Sequence, residues 1–144
     1  IATGRAMYAT MALGAEGVQM GSRFIATEEA TVHSLFKQEV LKAKEGDTVL
    51  TLKELSPVRL LKNPFYEQVE ALYQQREATP ENLKQLLGKG RTKLGMYEGD
   101  LQEGELEIGQ VSSLIQDIKT VKEIFEEVLE EFQQTNSLMN QLIN

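Results

Sequence analysis

The chain has 144 residues, of which 41% are hydrophobic and 26% charged, with a net charge of −7. That balance suits one soluble globular domain able to bury a core, and it excludes a broad nucleic-acid-binding face, which needs basic charge. There is no apolar run of the roughly 18 residues that a membrane-spanning helix requires. The absence of cysteine excludes disulfides, thiolate metal sites and cysteine nucleophiles.

The chain opens on a small-residue loop, Ile1-Ala2-Thr3. Thr3 is an expected N-cap for a helix over 4–13, rich in Ala, Met and Leu, and Gly14 stands where a helix ends with positive φ. Residues 16–20 read as a short β run closed by the second small-residue loop, Gly21-Ser22. Two loops of this kind at one end of a βα unit expose backbone N–H groups that suit a phosphate. An ordinary strand-ending turn is the competing reading of Gly21-Ser22.

From Ile25 a further helix is expected, capped by Thr27 or Thr31, with Glu28 and Glu29 at its positive end and Val32, Leu35, Phe36, Val40 and Leu41 as its buried stripe. His33, the chain's one histidine, reads first as a structural or surface residue. Residues 48–52 form a β-like run, 58–64 a basic-apolar extended piece, and 65–76 a helix with Phe65, Val69, Leu72 and Tyr73 on one face. Thr79-Pro80-Glu81 is a helix start, followed by Leu83, Leu86 and Leu87, and Gly88 stops it.

Between 88 and 110 the glycines crowd together: Gly88, Gly90, Gly95, Gly99, Gly104 and Gly109. Leu94, Met96, Tyr97, Leu101, Leu106 and Ile108 supply too much apolar surface for disorder, so an ordered, lid-like excursion is expected. A helical stretch is expected over 111–118. Thr120 to Glu123 then forms a T-x-x-E capping box that opens a helix carrying Val121, Ile124, Phe125, Val128, Leu129 and Phe132. Residues 133–144 either extend that helix or fray. Glu126-Glu127 and Glu130-Glu131 read as a solvated face. The run at 16–20 has no parallel partner in the chain, and the chain starts with Ile in mid-loop. Both lead to the expectation that further strands lie upstream.

Ile1-Ala-Thr-Gly4 and Leu13-Gly-Ala-Glu-Gly-Val-Gln-Met-Gly-Ser-Arg-Phe24 resemble the flavin-dependent nitronate monooxygenase family, which includes 2-nitropropane dioxygenases and enoyl-acyl-carrier-protein reductase II enzymes. Glu28-Glu29, the segment from His33 to Lys37, Arg59 with Lys62-Asn63, and Gly99-Asp100 leading to Gly109-Gln110 extend the resemblance. It implies an α/β fold: the C-terminal portion of a TIM (β/α)8 barrel, then a mostly helical extension. The implied division is 1–45 as the last strand–helix units, 46–110 as an extension with helices and the glycine-rich loop, and 111–144 as helices packing back on the barrel.

The resemblance implies FMN as cofactor, its phosphate held by the backbone of Ile1, Ala2, Gly21 and Ser22, with the Ser22 hydroxyl and Gln19 adding contacts. Tyr97 and Gln110 are the candidate substrate or lid residues; Tyr97, Glu98 and Asp100 read equally as turn residues. The family's catalytic histidine lies in a Gly-His motif that this chain lacks, so no catalytic residue is assigned to it. The implied reaction is hydride transfer from NADPH or NADH through FMN to an enoyl thioester, with oxidation of alkyl nitronates by oxygen as the alternative. The third reading is a non-catalytic helical fragment or binding module. The expected partners are a small-molecule or acyl-carrier-protein-bound substrate, the missing N-terminal barrel half and a homodimer mate, in a cytoplasmic setting without nucleic acid or membrane.

Overall fold

The computed structural model describes residues 1–143, with side chains through Leu142; Asn144 lies outside the described residues. Two compact units divide the chain, one built from Ile1–Ala30 with the described residues from Asp117 onward, the other from Thr31–Gln116.

The first unit pairs two helices. α1 (Gly4–Ala12) starts at Thr3, whose hydroxyl accepts the Ala6 N–H at 3.1 Å, and closes before Gly14 at φ +102°. α6 (Val121–Ile143) lies against it, with Tyr8 and Phe132 edge to face at 5.5 Å. Gly4 is buried because nothing larger fits: a Cβ there would come within 2.5 Å of the Phe132 nitrogen. The capping box forms as the sequence signals. The Glu123 N–H donates to the Thr120 hydroxyl at 3.2 Å, and the Thr120 N–H to the Glu123 carboxylate at 2.8 Å. α6 also accounts for most of the 133–144 stretch as continuous helix. Its length does not make it a membrane span: no described helix is long and apolar enough to cross one.

Two expectations fail in this unit. Residues 16–20 form no strand, and the described residues contain no parallel sheet. A strand is defined by ladder bonds to a neighbour, and this unit offers no strand to pair with; its one parallel bridge, Thr27 to Lys119, is isolated. Glu28 and Glu29 do not open a helix either. Instead a one-turn helix, α2 (Ser22–Ile25), precedes them, and the Glu29 carboxylate accepts the Val121 N–H at 3.0 Å, capping α6 from outside.

The second unit is built on an antiparallel pair, β1 (Thr48–Thr51) and β2 (Val58–Leu61), in the register Thr48↔Leu61 to Thr51↔Val58. α3 (Ser34–Lys42) begins later than expected, with His33 as its cap: the ring Nδ1 accepts the Leu35 N–H at 3.2 Å. Val32, Phe36 and Val40 face inward, whereas Leu35 is 48% exposed. α4 (Pro64–Gln74) and α5 (Pro80–Leu87) start at Asn63 and Thr79, each followed by proline. Leu52, Leu60, Phe65, Val69 and Leu83 form the core between them and the strands.

The glycine-rich excursion is an ordered part of this core. Its residues 93–97 (Lys93–Tyr97) form a π-helical turn, and residues 106–108 run beside β2, with Leu61 N–H to Leu106 O at 2.9 Å and Ile108 N–H to Arg59 O at 3.1 Å. Gly95 lets Glu105 approach, since a Cβ there would lie 2.7 Å from its carbonyl oxygen. The helix expected over 111–118 is a single 3₁₀ turn, Gln110–Leu114.

Candidate functional site

The expected phosphate loops both lie in the first unit, and each is anchored to the 117–131 segment by its own polar contact. Ile1 is 38% exposed and Ala2 buried. Just beyond them, the Gly4 N–H at the start of α1 donates to Glu131 Oε2 at 2.7 Å. Glu131 is therefore not part of a solvated face. Its carboxylate supplies an acceptor at the positive end of α1.

Gly21 is the N-cap of α2 and contributes no side-chain cap to it. Its φ of −105° is open to any residue, and an added Cβ would meet nothing within 4 Å. Neither backbone strain nor packing inside this chain calls for glycine at this position. An open, side-chain-free helix start with Ser22 beside it fits a phosphate, whose oxygens need close approach to backbone N–H groups. Gln19 is exposed in the irregular stretch before it.

Behind this loop stands Arg23, a residue the sequence did not single out. It is 6% exposed, and its guanidinium donates to the Asp117 carboxylate at 2.6 Å and to the Asp117 carbonyl at 3.2 Å. Burial pushes the Asp117 carboxyl up, but the Lys119 ammonium, 2.8 Å away, and Arg23 outweigh it and hold Asp117 below the usual aspartate range. A depressed carboxyl stabilises the fold above its unfolded value and loses that contribution as pH falls through the folded one. Removing Asp117 leaves Arg23 buried with carbonyl acceptors only. Because Asp117 itself is 44% exposed, Asp117→Ala is expected to cost about 2 kcal/mol, less than for a fully buried pair. The difference from the parent should begin to shrink as pH falls below about 4, the ordinary aspartate value, and close only below the depressed folded value, as read by denaturant midpoints across pH.

The other candidates belong to the second unit. Tyr97 is 49% exposed at the end of the π-helical turn, and Gln110 is exposed at the first position of the 3₁₀ turn. Two of their neighbours are turn residues: the Asp100 carboxylate accepts the Gln102 and Glu103 N–H groups, each at 2.9 Å, and Glu98 pairs with Lys93 at 2.9 Å. Among the described residues no group of three or more His, Cys, Asp or Glu side chains could hold a metal ion.

The family model described as nitronate monooxygenase matches residues 1–131. A probable nitronate monooxygenase of Staphylococcus saprophyticus is 31% identical over 141 residues, covering 97% of this chain and 38% of the relative. The structure of FabK from Thermotoga maritima superposes with a TM-score of 0.90 at 39% identity, covering 99% of this chain and 45% of FabK. Nitroalkane oxidase from Streptomyces ansochromogenes shares the fold at a TM-score of 0.74 and 23% identity, covering 96% of this chain and 39% of that one. The chain thus spans about two fifths of the length of these relatives. With the family model extending over most of its length, the chain belongs to the nitronate monooxygenase family.

Proposed function

We propose that this chain forms part of an FMN-dependent oxidoreductase that reduces enoyl thioesters, an enoyl-acyl-carrier-protein reductase II. The observation that supports this reading is the 39% identity to FabK over 99% of the chain. Bound FMN would supply the redox chemistry, taking hydride from NADPH or NADH and giving it to the β-carbon of the thioester. The role of this chain is anchorage. Gly21 and Ser22 would hold the FMN phosphate, with Ile1 and Ala2 as the second loop, while Arg23 and Asp117 fix α2 behind them. The remainder of the family's barrel would carry the catalytic histidine. A groove of about 210 Å3 supports that division, since it is lined by Met7, Val18, Met20, Phe24, Phe125 and Leu129, apolar side chains of the kind packed chain covers.

Two assays on the full-length protein decide the reaction. Nicotinamide oxidation that depends on an enoyl thioester supports the reductase. Oxygen uptake with an alkyl nitronate and no nicotinamide requirement supports the family's other activity, and a colourless full-length protein without flavin bands rejects both. The phosphate assignment has its own test in Ser22→Asp, which sets a carboxylate against the phosphate. FMN affinity is expected to fall at least a hundredfold, roughly 2.7 kcal/mol. Normal flavin content in the purified variant would remove the site from Gly21-Ser22.

A further inference from the structure

One cluster of titratable groups stands outside the proposed phosphate site. Glu105 is 6% exposed in the strand-like run beside β2, and Glu107 is half-buried two residues on. The Thr92 hydroxyl lies between them, 2.8 Å from Glu105 Oε2 and 2.7 Å from Glu107 Oε1. A hydroxyl carries one hydrogen and can donate it to one carboxylate only. The second short oxygen–oxygen contact needs a proton of its own, and that proton must come from a carboxyl group.

We propose that Glu105, Thr92 and Glu107 form a proton-operated latch that fastens the 91–97 turn to the 104–108 run. In the closed state the Glu105 carboxyl donates to the Thr92 oxygen, and the Thr92 hydrogen goes to the Glu107 carboxylate. Burial pushes the Glu105 carboxyl up and Glu107 pushes it the same way, while Arg91, and the Thr92 hydroxyl when it is turned to donate to the ionised carboxylate, lower it; the net direction is upward. The other charged groups around the cluster are engaged elsewhere. Arg91 donates to Glu103 at 2.7 Å, Arg59 on β2 donates to the Thr48 carbonyl at 2.9 Å, and Lys93 pairs with Glu98.

Besides the latch, the segment is held by Glu105 N–H to Arg91 O at 3.0 Å, His33 N–H to Met96 O at 2.7 Å, the Arg91 guanidinium to Glu103 at 2.7 Å, the Asn63 amide to Gly104 O at 2.8 Å, and the bonds from the Leu61 and Ile108 N–H groups. A carboxyl raised in the folded state contributes stability below its unfolded value and loses it as pH rises through the folded one. Deprotonation as pH rises therefore loosens the turn that bears Tyr97, and acid fastens it.

Hydrogen exchange of the Glu105, Leu61 and Ile108 amides, corrected for intrinsic rates, tests the latch in the parent and in Glu105→Gln. In the parent, protection is expected to fall with rising pH from about 4.3, the ordinary glutamate value, up to the raised value of the folded state, and to level off above it. Glu105→Gln keeps a donor for Thr92 and should show no such slope. A parent without the slope, or a variant that keeps it, overturns the proposal. Should the variant fail to fold, the parent's Glu105 carboxyl-carbon titration by NMR decides. A midpoint above the glutamate range is expected, and one within or below it overturns the latch.

Discussion

Phe65→Ala is expected to destabilise the second unit by about 4 kcal/mol, in the range for removing a fully buried aromatic side chain from a core. Phe65 is 0% exposed and packs among Leu52, Leu60, Val69 and Leu83, contributed by the residue after β1, by β2, by α4 and by α5. It has a second role that alanine also deletes. The Arg91 guanidinium sits 4.7 Å above its ring, and from there donates to Leu86 O, Leu87 O and Glu103. One side chain on that ring thus satisfies carbonyls at the end of α5 and ties in the glycine-rich excursion. Phe65→Leu keeps most of the volume and loses the cation–π contact, so a cost of about 1–2 kcal/mol is expected. Urea denaturation followed by tyrosine emission reports on this unit, because Tyr66, Tyr73 and Tyr97 lie in it and the chain has no tryptophan. If Phe65→Ala costs no more than Phe65→Leu, the Phe65 ring is not what holds this core together.

What the sequence made legible were local signals. Thr3, Thr79-Pro80 and Thr120 with Glu123 mark helix starts, and Gly14 and Gly88 mark stops at positive φ, because capping involves residues three or four apart. The resemblance on 1–24 led to the family, which the match over residues 1–131 supports. What escaped were contacts across long separations. Glu29 reads as the first turn of its own helix but caps α6, and Glu131 reads as solvated but bonds Gly4, 127 residues away. Arg23 looks like one charge in a strand–turn motif, and only its fold partner Asp117, 94 residues on, explains its burial. The run at 16–20 failed for the related reason that β propensity is realised only against a neighbour. A lone arginine directly after Gly-Ser, among apolar residues, was the one available hint of the Arg23 anchor.

Gly4→Ala is expected to cost about 3 kcal/mol, at the upper end of overpacking effects. Helix propensity alone argues the opposite sign, since alanine is favoured over glycine by about 1 kcal/mol within a helix. Packing decides. A methyl group at this position overlaps the Val128 carbonyl and comes within 2.5 Å of the Phe132 nitrogen, and these are backbone atoms that no rotamer change can move. Relief requires α1 to lift from α6, which also stretches the 2.7 Å bond from Gly4 N–H to Glu131 and the Tyr8–Phe132 contact. Gly17 provides the matched control, because an added Cβ meets nothing there within 4 Å and its φ lies outside the left-handed region. Gly17→Ala should be neutral or stabilising by up to about 1 kcal/mol, through a less flexible unfolded chain. If Ile1 and Ala2 form the proposed phosphate loop, displacement of α1 should also weaken flavin retention in the full-length protein while Gly17→Ala leaves it unchanged. Equal denaturant midpoints for the two variants would show that the close approach of α1 to α6 is not what requires glycine at position 4.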